Sequence, residues 1–466
     1  MAVYESNISS SNADKLQKLW DLKTHGYVTA KPLLDGNRVF ISDWYGYIYC
    51  LKANDGTLIY KKQLYQPPTG NPILMKIPLV NQFLGEPLPY MWNGFAGTGC
   101  ISDGIWYLAS VGGKEGSALK NGAGGRLYAV HTYSGTVLWE RSLGENEYSG
   151  SLAVPVCDDN NLYIGLCSVD EVASVTYKLH FKSFTPQCTG EVFCFNKYSG
   201  NLIWRKRVTE LIPGDDSNSK GAGVWGGFSV DTTSGALYFA TGNSYGRPVS
   251  KISDSVVCVD SSNGSLRWSS QVQTEDAWMP LKRDGPDFDF GCTPIPFPCS
   301  SANSGFAVGA GNKNGFIYAF DLGSGKLIWK TFCHINSSPD DGIRSNITFK
   351  NGRIFIWSKN ATPRNFISVI CINSQSGKII WNKIVSGTNN MTTGAVTNDL
   401  YFMANYSGEL FALSTSDGER VWVNKGNRVS LGSDLTIWKS RIYAGFGVPK
   451  LYGGRFSPGG VICYGF

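Results

Sequence analysis

The chain has 466 residues, a net charge of +6, only 17% charged residues, 13% aromatics and 55 glycines. That balance excludes a disordered chain, and the charge is too mild for a nucleic-acid binder. Its densest basic run, Arg205-Lys206-Arg207, reads as a solvated strand end, and no stretch approaches the roughly 18–20 apolar residues of a membrane span.

One phrase recurs in chain order: GYIYCLKANDGTLIY (46–60), GRLYAVHTYSGTVLW (125–139), GEVFCFNKYSGNLIW (190–204), DSVVCVDSSNGSLRW (254–268), GFIYAFDLGSGKLIW (315–329), ISVICINSQSGKIIW (367–381) and GELFALSTSDGERVW (408–422). Each reads as two strands of alternating polarity joined by a turn in which glycine supplies a positive φ. The phrase closes on Trp139, Trp204, Trp268, Trp329, Trp381 or Trp422, with Tyr60 in that place once. Two further strands precede each phrase, as in AKPLLDGNRVFISD (30–43) and GAVTNDLYFMAN (394–405). Four strands per unit predict a propeller blade. The spacing agrees: Trp20 to Tyr60 is 40 residues and Trp381 to Trp422 is 41. An eighth copy is split between GGVICYGF (459–466) and KLQKLW (15–20). The expectation is an all-β, eight-bladed β-propeller of four-stranded antiparallel blades. It forms one domain over 1–466, its last blade closed by the strand at 15–20, so that no sheet edge stays open. Length alone predicts about three domains, and the repeat replaces that count.

The insertions keep one phase. Residues 66–99, 209–224 and 273–290 precede first strands, and 112–124, 167–189 and 243–253 follow second strands. Both positions lie on one face of the ring, the pattern of a site built on loops over a rigid scaffold. Chemistry-bearing residues share that phase. Asp170 and Glu171 follow the second strand of blade three. Trp225 and Asn243 flank the first two strands of blade four. Asp284, Asp287 and Asp289 open blade five, and Lys313 follows its second strand. Acids and an amide oxygen suit a hard cation such as Ca²⁺, an indole gives a stacking floor, and a lysine balances an anion.

Other readings find less support. No CxxC, CxxCH or zinc spacing occurs among the 12 cysteines. Cys50, Cys194, Cys258, Cys371 and Cys463 recur on one strand of the repeat as small buried residues. The four histidines fit no triad or metal pattern, and GAGNKNG (309–315) lacks the helix a nucleotide loop needs. Sequons at Asn7, Asn263, Asn336, Asn346, Asn360, Asn390 and Asn405 and the absence of a visible leader after Met1 leave the compartment open.

The blade phrase resembles that of pyrroloquinoline-quinone (PQQ) dehydrogenase propellers, and non-catalytic outer-membrane assembly propellers share it. The segments 221–245, 273–294 and 311–329 are similar to the polyvinyl-alcohol dehydrogenase branch. The resemblance implies PQQ and Ca²⁺ at the ring mouth and oxidation of secondary or polymeric hydroxyls, with hydride passing to the quinone. It implies that Trp225 lies against PQQ, that Asn243, Asp287 and either Glu171 or Asp170 ligate the metal, and that Asp287 is the base. Lys313 stands near the quinone oxygens, and Cys100 is the lone counterpart of the adjacent cysteines such enzymes carry against the cofactor. With no haem site in the chain, electrons leave to a separate acceptor. The family is usually periplasmic or secreted. The alternative is a non-catalytic propeller that binds a glycan, a protein or a second copy on its elaborated face.

Overall fold

The computed structural model describes residues 6–64, 94–111, 124–145, 148–171, 173–174, 183–215, 219–280, 282–333, 342–360, 366–386, 392–424, 429–448 and 458–466. The expected loops at 66–99 and 112–124 therefore lie outside the described residues except for 94–99 and 124. Blade one comprises Leu33–Asp35, Arg38–Ser42, Tyr47–Lys52 and Leu58–Gln63, hydrogen-bonded in that order from the ring axis outward. The same antiparallel order repeats in seven further blades, except that the innermost strand of blade three is in two pieces, Ser149–Gly150 and Val156–Cys157, both paired with Asn161–Ser168. Blade eight runs Thr436–Trp438, Arg441–Phe446, Gly460–Gly465 and then Gln17–Lys23, with Trp20 opposite Cys463. The N-terminal strand thus closes the ring as the split repeat predicts.

Burial falls from the axis outward. The third strand Tyr47–Lys52 is buried at four consecutive residues, while its outer neighbour Leu58–Gln63 is mostly exposed. The repeated cysteines fill space between blades: Cys50, Cys371 and Cys463 are wholly buried on third strands.

The phrase's tryptophan and glycine belong together across blades. Trp139 Nε1 donates to Lys197 O at 3.0 Å, Trp204 Nε1 to Ser261 O at 2.9 Å and Trp381 Nε1 to Thr415 O at 3.1 Å, each in the next blade's turn. Tyr60 does the same through its hydroxyl, reaching Thr132 O at 3.1 Å. The turn glycine then lies under the previous blade's ring: a Cβ on Gly200 would stand 2.6 Å from Trp139, and one on Gly135 2.7 Å from Tyr60. Glycine is needed there for its φ of +69° at Gly200 and for its missing side chain. Gly200→Ala is expected to cost about 2–4 kcal/mol in urea unfolding. Gly36→Ala, with φ +57° but nothing within 4 Å of a new Cβ, should cost only about 1 kcal/mol.

A second belt links the first strands near the axis. Gly227 N donates to Thr293 Oγ1 at 3.1 Å, Thr293 N to Asn346 Oδ1 at 2.6 Å and Asn346 N to Thr393 Oγ1 at 3.1 Å, tying blades four to seven. The amide of the Asn346 sequon is thus engaged inside the ring.

Candidate functional site

Loops of blades three, four and five are zipped together above their first strands. Isolated bridges pair Thr189 with Gly221, Gly221 with Ser244, and Ser244 with Ala277. Ala222 N donates to Asn243 O at 2.7 Å and Trp278 N to Ser244 O at 2.9 Å. A short ribbon, Trp278–Met279 against Lys282–Arg283, extends the loop before blade five. These backbone bonds hold the candidate side chains on a rigid frame.

At the centre is the Lys313 ammonium, nearly buried. Lys313 N donates to Asp289 O at 3.0 Å, which fixes the turn after the second strand of blade five. Its Nζ donates to Asp287 Oδ1 at 2.9 Å and to Asp289 Oδ2 at 2.6 Å, and sits 5.8 Å from the Trp225 ring centroid. Burial alone would lower the Lys313 pKa, but Asp289 and Asp287 outweigh it and hold the ammonium charged. Asp289 also accepts Asn243 N on Oδ1 at 2.6 Å. Both of its oxygens are therefore engaged, whereas Asp287 has only Oδ1 in a hydrogen bond to Lys313.

Asn243 donates through Nδ2 to Ser244 O at 2.7 Å and Trp278 O at 2.9 Å. Carbonyls only accept, so this orients the amide and reserves Oδ1 for another donor or a cation. Trp225 is half-buried, four residues before the first strand of blade four (Ser229–Asp231). Its indole lies on the Gly291 backbone: a Cβ there would stand 2.0 Å from Cη2. A Cβ at Gly242 would press on Asp289 at 2.7 Å and on Trp225 Nε1 at 3.2 Å.

Asp170 and Glu171 begin a helical turn after the second strand of blade three, Asn161–Ser168. Asp170 is wholly buried, and its Oδ2 accepts Cys188 N at 2.8 Å and Gln187 N at 3.2 Å. Burial pushes its pKa up to about 6 against those bonds. Glu171 is raised to about 7, by burial and then by the negative charge of Asp289, with Lys313 opposing. Its carboxyl thus shares the field of the Lys313 cluster.

Two acids escaped sequence reasoning. Asp276 accepts Asp287 N at 3.2 Å and Phe288 N at 2.5 Å, and so shapes the turn in which Asp287 takes φ +65°. Asp254 is wholly buried and neither oxygen has a hydrogen-bond partner; burial and then Asp289 and Asp276 push its pKa well up. Asp254 opens the repeat phrase of blade four, where glycine is usual; that departure was the available signal. Asp284 is exposed and outside this cluster.

Cys100, like Asp284, is a predicted site residue that the structure does not join to the group. It begins the first strand of blade two, Cys100–Ser102, opposite Tyr107. The same register position in blade four is Ser229, opposite Tyr238. Trp225 lies four residues before that point, so Cys100 sits deeper along the ring, with its sulfur against Cys157.

The cluster holds more acid than cation. Glu171, Asp254, Asp276 and Asp287 all have raised pKa values. An acid raised by folding binds its proton more tightly in the folded chain, so stability declines as pH rises through the window between unfolded and folded pKa. For Glu171 that window runs from its ordinary value of 4.5 to about 7. Glu171→Gln should therefore raise the metal-free thermal midpoint at about pH 8 and leave it nearly unchanged at about pH 4.

The chain is similar to known propeller proteins. Residues 170–335, which span the cluster, match the family model for the glucose/ethanol/alcohol dehydrogenase β-propeller domain of the PQQ type. Residues 309–462 match the model of the outer membrane protein assembly factor BamB. A polyvinylalcohol dehydrogenase of Pseudomonas sp is 21% identical over 447 residues, covering 89% of this chain and 64% of that protein. One of Sphingopyxis sp. (strain 113P3) is 22% identical over 449 residues, covering 88% and 62%. The chain thus spans less than two thirds of these relatives' length. A europium-containing methanol dehydrogenase shares the fold with a TM-score of 0.73 at 13% identity, covering 99% of this chain and 95% of that one. Eight closed blades and a family match over the residues that build the mouth make this chain similar to the PQQ-type alcohol dehydrogenase propellers.

Proposed function

We propose that this chain is a quinoprotein-type oxidoreductase that oxidises an alcohol, with PQQ and Ca²⁺ at the mouth formed by blades three to five. Secondary or polymeric hydroxyls are the substrate class, as the names of the polyvinylalcohol dehydrogenase relatives suggest, and the electrons pass to a separate acceptor. The observation that carries this reading is the pairing of a half-buried indole with a lysine held between two aspartates.

The donor chemistry fits the cation. Glu171, Asn243 Oδ1 and Asp287 are all hard oxygen donors of the kind Ca²⁺ takes. Among the described residues, no three acidic, thiol or imidazole groups already converge on one point; the positive charge inside the cluster is the Lys313 ammonium. The orphaned oxygens of Asp254 and Asp170 mark a site with acid to spare. Glu171 is preferred to Asp170 as ligand, because Asp170 is committed to the amides of Gln187 and Cys188.

The fit extends to the cofactor. The Trp225 face offers the stacking floor, and the Lys313 ammonium offers a donor to an anionic or carbonyl oxygen. When bound, PQQ supplies a two-electron acceptor and the cation a Lewis acid. Asp287 takes the proton of the substrate hydroxyl through Oδ2, the oxygen outside its Lys313 bond. Asp289, with both oxygens engaged, positions Lys313 and Asn243 instead. Burial and neighbouring acids lift the Asp287 carboxyl well above the usual range, which makes its ionised form a stronger base.

Purified protein incubated with PQQ and CaCl₂ should reduce an artificial electron-accepting dye when a secondary alcohol is added, and omission of either should abolish it. Dye reduction that ignores PQQ would count against this reading. The match of residues 309–462 to an assembly-factor model favours a second, scaffold reading of the later blades. A chain that binds no quinone but retains a protein or glycan partner would support it.

A further inference from the structure

The chain has 12 cysteines, and ten are buried. The two that are partly exposed, Cys100 and Cys157, are also the two whose sulfur atoms meet, 3.6 Å apart. They lie on adjoining first strands, Cys100–Ser102 of blade two and Val156–Cys157 of blade three, 57 residues apart in sequence. One side chain pins both strands. Lys197, itself 2% exposed, donates through Nζ to Ser102 Oγ at 3.2 Å and to Asp158 O at 2.9 Å, and pairs with Asp103 at 2.7 Å. Ser102 and Asp103 follow Cys100, and Asp158 follows Cys157. The lysine therefore ties together the strand ends that hold the two thiols opposed.

We propose that Cys100 and Cys157 are a modification site, oxidised to an inter-blade disulfide by a small external disulfide such as oxidised glutathione. A disulfide needs sulfurs about 2.05 Å apart, so they must close by about 1.5 Å, within the range of side-chain rotation. In the step, both thiols lose their protons and two electrons pass to the external disulfide. The Cys100–Cys157 S–S bond forms, the external S–S bond breaks, and two reduced thiols leave. Two thiols alone do not make the four-ligand set of a structural zinc site, and the ten buried cysteines already supply the packing role. The site is separate from the Lys313 cluster, so it does not depend on the alcohol-oxidising function.

The test incubates the full chain with oxidised glutathione at about pH 8.5, to raise the thiolate fraction, then counts thiols in denaturant and maps peptides by mass spectrometry without reduction. Titratable thiols should fall from twelve to ten, with one linked peptide pair carrying Cys100 and Cys157. The thermal midpoint should rise by about 4 °C, and a reducing agent should reverse both changes. Neither Cys100→Ser nor Cys157→Ser should give the link or the shift. Retention of all twelve thiols, a stable glutathione adduct on Cys100, or a link between other cysteines would each overturn the proposal. The wild-type peptide map decides the matter even if a serine variant folds poorly.

Discussion

Replacing Asp287 by asparagine is expected to lower kcat for alcohol oxidation about 10³-fold. The geometry should survive, because the asparagine oxygen can still accept the Lys313 bond that Asp287 Oδ1 now accepts at 2.9 Å. What disappears is the basic oxygen. Folding should not suffer: the substitution removes one acid from a buried cluster that has one lysine for several carboxyls, so the midpoint at about pH 8 should hold or rise. Asp289→Asn makes the contrast. Both Asp289 oxygens are structural, so its loss should lower stability along with rate. A D287N enzyme keeping more than about a tenth of wild-type turnover, with PQQ and Ca²⁺ saturating, would remove Asp287 from the role of base.

Lys313→Met carries the largest expected cost in stability, about 3–5 kcal/mol at about pH 8. Methionine keeps the length and removes the charge, which leaves Asp287 and Asp289 facing each other in a buried site. The loss should shrink at about pH 5, where the raised Asp287 carboxyl is protonated and needs no cation. Adding Asp289→Asn to Lys313→Met should recover part of it, since one uncompensated charge goes. Urea unfolding of the two variants at both pH values checks this. A loss independent of pH would mean that Lys313 acts by packing and not by charge.

The eight blades and their closure were legible because the blade is a local unit: four strands, a turn and an aromatic repeat within about 40 residues. The reason for the tryptophan–glycine pairing was not. Gly200 reads as a turn residue, and only the ring shows Trp139 of the preceding blade lying on it. At the site, phase along the blade placed Glu171, Trp225, Asn243, Asp287 and Lys313 on one rim, because the rim follows from strand count alone. Phase says nothing of depth along the axis or of which acid faces which. That is why Asp170 and Glu171 could not be separated, why Asp254 and Asp276 went unseen, and why Cys100 was assigned by resemblance to a site from which its strand position separates it. These distinctions rest on long-range contacts such as Asp289 with Asn243, which no local pattern encodes.

The most direct test of the central claim is a calorimetric titration of PQQ into the chain with CaCl₂, repeated with chelator in place of calcium and with Trp225→Ala. One quinone should bind per chain, binding should require the cation, and loss of the indole should weaken it by about tenfold or more. Absence of binding by the wild-type chain with calcium present, or binding unchanged by chelator and by the Trp225 substitution, would contradict a quinone site at this mouth.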